Sequence, residues 1–76
     1  MHFEAIQEII CKHFHVQPEK ITRETSFVAD LAADSLDVVE LTFNLEEKFG
    51  LPETPEEVLK SMKTVGDLAD YVERNI

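Results

Sequence analysis

Basic residues are scarce in this chain: 7 lysines and arginines face 16 aspartates and glutamates, for a net charge of −9. That balance excludes a nucleic-acid binder, which needs a basic footprint on phosphate, and equally a protein that docks on an anionic membrane. Cysteine is nearly absent. Cys11 alone can close no internal disulfide and build no multi-cysteine zinc site, and a structural thiol is expected. No apolar run approaches the ~18 residues of a membrane-spanning helix. The first residues, Met1-His2-Phe3-Glu4, lack the basic and apolar regions of a signal peptide. A cytoplasmic, acidic, single domain over residues 1–76 is expected, with apolar residues (43%) sufficient for a core. A domain this small buries only about 60% of its unfolded surface, which leaves little room for an enclosed active site.

The charge is segregated. Residues 1–23 and 58–76 are each balanced, whereas residues 24–57 hold ten acids and one base, Lys48. Solubility alone requires no such segregation. The segregation reads either as chance plus solubility or as an acidic face for basic partners, whose self-repulsion predicts modest stability at low salt.

Hydrophobic spacing predicts an all-α, four-helix bundle with three longer helices and one short one. Phe3, Ile6, Ile10 and Phe14 form one helical stripe over residues 3–15, which Pro18 keeps from continuing. A long connection over residues 16–34 follows, pinned by Val16, Ile21, Phe27, Val28 and Leu31. The strongest helix spans residues 35–49, where Leu36, Val39, Leu41, Phe43 and Leu45 give a broad apolar face and Gly50 a natural stop. Thr54 reads as the N-cap of a short third helix, with Pro55 at N1, Glu57 completing a capping box, and Val58, Leu59 and Met62 buried. Thr64 to Asp67 cap the last helix, which packs Val65, Leu68, Tyr71 and Val72.

The informative stretch runs from Phe27 to Leu41. Ser35 is either an ordinary N-cap or a free hydroxyl at N1. In the second reading Asp34 caps and Asp37 stands at N3, a better match to the helix dipole. A phosphate ester on Ser35 would then lie at the favourable helix end. A catalytic serine is disfavoured, because the hydrolase elbow G-x-S-x-G is replaced by flanking Ala33 and Asp37. His2, His13 and His15 cluster at the first helix and read as solvated or flanking histidines. Asp30, Asp34 and Asp37 fail the calcium-loop pattern, so no dedicated metal site is expected, and weak divalent-ion binding on the acidic face stays open.

At these residues the chain resembles the acyl carrier proteins of type II fatty acid synthesis. Asp34-Ser35-Leu36 with Asp37 and Val39-Glu40-Leu41 looks like the family's attachment motif, and Phe27 with Asp30-Leu31 like its upstream part. Thr64 to Asp67 and Asp70-Tyr71-Val72 are similar to its last helix. The resemblance implies a non-enzymatic carrier. Ser35 would hold a 4′-phosphopantetheine arm, transferred from coenzyme A by a Mg²⁺-dependent phosphopantetheinyl transferase (holo-acyl-carrier synthase), and the arm's thiol would carry acyl thioesters. Asp34, Leu36, Asp37, Glu40 and Glu47 would meet basic patches on acyl transferases, ketoacyl synthases, reductases and dehydratases. Phe27, Leu41, Leu45, Leu59, Met62, Leu68 and Tyr71 would line a cleft for the acyl chain, and a monomer is implied. Ala32 departs from the family's usual glycine, predicting a stiffer loop, and residues 50–61 are less acidic than usual. Rival readings are a carrier in a polyketide-like pathway, an aminoacyl or peptidyl carrier, and an unmodified acidic adaptor.

Overall fold

The computed structural model describes residues 2–76. Its helices are α1 (Phe3–Phe14), α2 (Ser35–Phe49), α3 (Glu56–Ser61) and α4 (Val65–Asn75), with a single 3₁₀ turn at Pro18–Lys20. No strand is present among the described residues, and no helix there is long and apolar enough to cross a membrane.

Helix α1 buries Ile6 and Ile10 fully and Phe3 and Phe14 in part, as its stripe predicts. It stops before Pro18 can act: His15 takes a left-handed conformation (φ 58°) and closes the last turn, while Pro18 opens the 3₁₀ turn instead. Cys11 is buried in the core, and burial, aided by the negative charge of Glu19, raises its thiol pKa.

The long connection is tied down by backbone pairing. Ser26 and Thr64 form an antiparallel bridge, with Phe27 N–H donating to the Lys63 carbonyl and Val65 N–H to that of Thr25. Ile21 and Thr25, just before the bridge, are buried, and the Phe27 side chain enters the core. Val28, expected to pin this segment inward, points outward and is 74% exposed. The turn over residues 26–33 buries Phe27 and Ala33 and packs the half-buried Leu31 against the core.

Helix α2 differs most from expectation. Its core face is Val38, Leu41, Thr42, Leu45 and Phe49. Leu36, Val39 and Phe43 lie on the opposite side and are largely exposed, at 70%, 46% and 58%. The sequence merges two apolar stripes that helical rotation separates, and the core covers only one of them. Helix α4 carries the expected capping box of Thr64 and Asp67 and buries Val65, Leu68, Tyr71 and Val72.

Helix α3 is shorter at its start than the capping signature predicts. Pro55 occupies the N-cap position, and no side chain caps this helix. Thr54 turns to α2 instead, where Glu46 Oε2 accepts from its N–H at 2.8 Å and from its hydroxyl at 2.6 Å. A buried, charge-assisted pair outcompetes an exposed local cap. Of the side chains expected inside, only Met62 is buried, and Val58 and Leu59 are half-buried.

Candidate functional site

The start of α2 is built by two aspartates. Asp34, in extended conformation, accepts the Asp37 N–H at 2.9 Å, and Asp37 Oδ2 accepts the Asp34 N–H at 3.1 Å. This reciprocal box leaves Ser35 at N1, exposed, with its hydroxyl outside the cap. The Asp34 N–H, and then the His13 ring beside it, hold the Asp37 carboxyl below the ordinary carboxylate range. Of the two readings of Ser35, the geometry selects the free hydroxyl at a positive helix end.

Ser35 sits on the rim of an open cleft of about 910 Å³ between the first turns of α2 and helix α3. The volume is that of a small-molecule site. Phe27, Ala33, Val38, Val39, Leu59 and Met62 supply its apolar lining, and Glu53, Glu56 and Lys60 add charged groups. Of the residues expected to line a cleft, Phe27, Leu59 and Met62 do so. Leu41, Leu45 and Leu68 do not: they are sealed in the core at 0%, 1% and 1% exposure. Tyr71 borders a separate cavity of about 140 Å³ between α3 and α4. Val38 and Val39 were missed, although their spacing from Ser35 along one helix was a readable signal. Val28, Thr54 and Pro55, which also border the cleft, come from loops and carried no periodic signal.

On α2 the exposed face gathers Leu36, Val39, Glu40, Phe43 and Glu47, positions that helical rotation brings into one sector. Asp34 and Asp37 stand at its N-terminal end. The acids expected at a partner surface therefore flank an apolar stripe, and Leu36 is the one stripe residue among the expected partner contacts.

The family model for the phosphopantetheine attachment site matches residues 4–72. The chain is 48% identical over 73 residues to the acyl carrier protein of Wolinella succinogenes, covering 96% of this chain and 95% of that one. It is 49% identical, also over 73 residues, to the acyl carrier protein of Helicobacter acinonychis, covering 96% of this chain and 92% of that one. Among solved structures, that of an acyl carrier protein from Enterococcus faecalis superimposes with a TM-score of 0.81 at 32% identity, covering 97% of this chain and 92% of the other. The chain therefore belongs to the phosphopantetheine-attachment family, among its acyl carrier proteins. Its role is to carry acyl groups, not to catalyse their conversion, and its prosthetic group is a covalently attached 4′-phosphopantetheine. Membership implies partners of two kinds, a phosphopantetheinyl transferase and the enzymes of fatty acid synthesis. The aminoacyl-carrier and adaptor readings are not favoured.

Proposed function

We propose that Ser35 is the attachment residue, that the neighbouring cleft shelters the cargo, and that the outer face of α2 docks partners. Residues 1–76 then act as one carrier domain. The observation that carries this reading is the position of Ser35: an exposed hydroxyl at N1, freed from capping by Asp34 and Asp37, on the rim of the apolar cleft. The transferase would activate this hydroxyl to attack the coenzyme A pyrophosphate. A serine–phosphate bond forms, the phosphoanhydride breaks, the serine proton passes to the transferase's base, and the adenosine bisphosphate leaves. The new phosphodiester anion stands at the N-terminus of a 15-residue helix, where the dipole favours it.

Phe27, Val38, Val39, Leu59 and Met62 suit an alkyl chain, since each buried methylene is worth about 0.8 kcal/mol. Leu36, Val39 and Phe43 give an apolar centre for docking, flanked by Asp34, Asp37, Glu40 and Glu47. Exposed charges of this kind contribute little affinity singly but speed encounter with basic surfaces, and they suit short-lived complexes with transferases, synthases, reductases and dehydratases.

The test is an intact mass after incubation with coenzyme A, Mg²⁺ and a broad-specificity phosphopantetheinyl transferase. One phosphopantetheine should be gained by the chain and none by folded Ser35→Ala. Modification of the variant would place the arm elsewhere.

A further inference from the structure

We propose that His13, Asp37 and Glu40 form a binding site for one divalent transition-metal ion of the zinc type, joining α1 to the first turns of α2. The three side chains each offer a donor atom, and these atoms lie within 4.8 Å of one another. They come from two helices, with His13 and Asp37 separated by 24 residues in the chain. His13 Nε2 stands 3.2 Å from Asp37 Oδ1. Two donors of a tetrahedral zinc ion, each about 2.0–2.1 Å from the metal, would be roughly 3.3 Å apart. That pair is already at ligand spacing.

The donors are held in place by their surroundings. Asp37 Oδ2 is engaged by the Asp34 N–H at 3.1 Å, which fixes the carboxylate and turns Oδ1 toward the histidine. The His13 ring packs edge-on against Phe14 at 4.8 Å, and its side chain is only 19% exposed. Glu40 lies three residues beyond Asp37 on α2 and is solvent-exposed, so its carboxylate can close on an ion that the other two have captured. The adjacent Lys12 is paired with Glu8 at 3.3 Å.

The donor set decides the metal. One imidazole and two carboxylates suit zinc, cobalt or nickel, whereas magnesium and calcium favour oxygen-only shells. The two carboxylates supply negative charge that a dication neutralises. Three protein donors leave the remaining coordination position to water. Where the sequence shows a flanking histidine on α1, the fold places it against the capping box of α2. If the function proposed above holds, a bound ion also removes Asp37 and Glu40 from the acidic docking face, two and five residues beyond the attachment serine.

The experiment titrates the unmodified full chain with zinc chloride by calorimetry, with magnesium chloride alongside, and follows the visible absorption of cobalt(II) as a report of coordination. It needs no partner enzyme and no modified serine, so its failure leaves the attachment proposal standing. One zinc per chain is expected, with affinity lowered about tenfold or more in His13→Gln, while magnesium does not distinguish the two proteins. Failure of the chain to bind zinc, or equal zinc affinity in chain and variant, overturns the site. Glu40→Gln, at an exposed position, keeps the test decisive if His13→Gln does not fold: it should show the same direction of loss, and unchanged affinity there likewise overturns the site.

Discussion

One oxygen of the Glu46 carboxylate accepts both the N–H and the hydroxyl of Thr54, at 2.8 and 2.6 Å. Glu46 thus belongs to the architecture and not to the acidic surface. It fastens the loop before α3 to α2, and so fixes the Thr54–Pro55 border of the cleft. Glu46→Ala leaves two buried donors of Thr54 without this partner. We expect a loss of about 1–3 kcal/mol in urea unfolding and faster amide exchange at Thr54. Unchanged exchange there would show that the loop is held by other contacts.

Gly66 opens α4 against the long connection, its N–H donating to the Arg23 carbonyl at 2.8 Å. A Cβ at this position would meet that same carbonyl oxygen at 2.8 Å, and the oxygen is backbone that cannot swing away. Alanine gains up to about 1 kcal/mol in helix propensity, but the clash costs about 1–3 kcal/mol. Gly66→Ala should therefore destabilise, read as a lower thermal midpoint. A raised midpoint would mean that the two segments part without penalty.

Ala32 adopts φ 53°, a left-handed conformation that costs an L-residue about 1–2 kcal/mol. Its side chain is exposed, so nothing is lost in packing by removing it. Relief of strain exceeds the extra freedom glycine has when unfolded, about 0.4–1 kcal/mol. Ala32→Gly should raise stability by up to about 1 kcal/mol in chemical denaturation, against the ordinary expectation for a glycine introduced into a loop. The sequence flags the residue as unusual, and its backbone angle supplies the reason.

The Asp67 carboxyl is held below its ordinary range, chiefly by the Lys63 N–H and then by that of Thr64, at 3.0 and 3.1 Å. A lowered folded-state pKa gives stability that is complete above the unfolded value of about 4 and is lost as pH falls through the folded value. Asp67→Asn should therefore trail the unsubstituted chain by a constant margin at neutral pH, and the margin should narrow below about pH 4. Comparing the two proteins cancels the self-repulsion of the remaining charge. A margin independent of pH would assign the effect to packing.

Phe43 is 58% exposed on the outer face of α2. Phe43→Ser should change folding stability by no more than about 0.5 kcal/mol while weakening association with the transferase at any salt concentration. Glu40→Lys should instead slow association most at low salt. If both variants bind normally in surface-coupled kinetics, docking uses another face.

The chain's local rules were legible where one residue settles one feature. Asp34 and Asp37 announce the start of α2, Thr64 and Asp67 that of α4, and Ile6 with Ile10 the buried side of α1. What escaped depends on neighbours far along the chain. Thr54 obeys the local capping pattern until Glu46 offers a stronger partner. Leu36, Val39 and Phe43 look like core because apolarity does not record which side of a helix has company. Leu41, Leu45 and Leu68 were expected along the cleft and lie sealed in the core for the same reason, since sealed and cleft-lining leucines have identical sequence signals. His13 and Asp37 meet only once α1 folds back on α2.

The aspartate box also separates manufacture from commissioning. Asp34 and Asp37 start α2 without help from the Ser35 hydroxyl, so this helix end forms whether that oxygen is free or not. If Ser35 is the attachment residue, esterifying its oxygen breaks neither bond of the box.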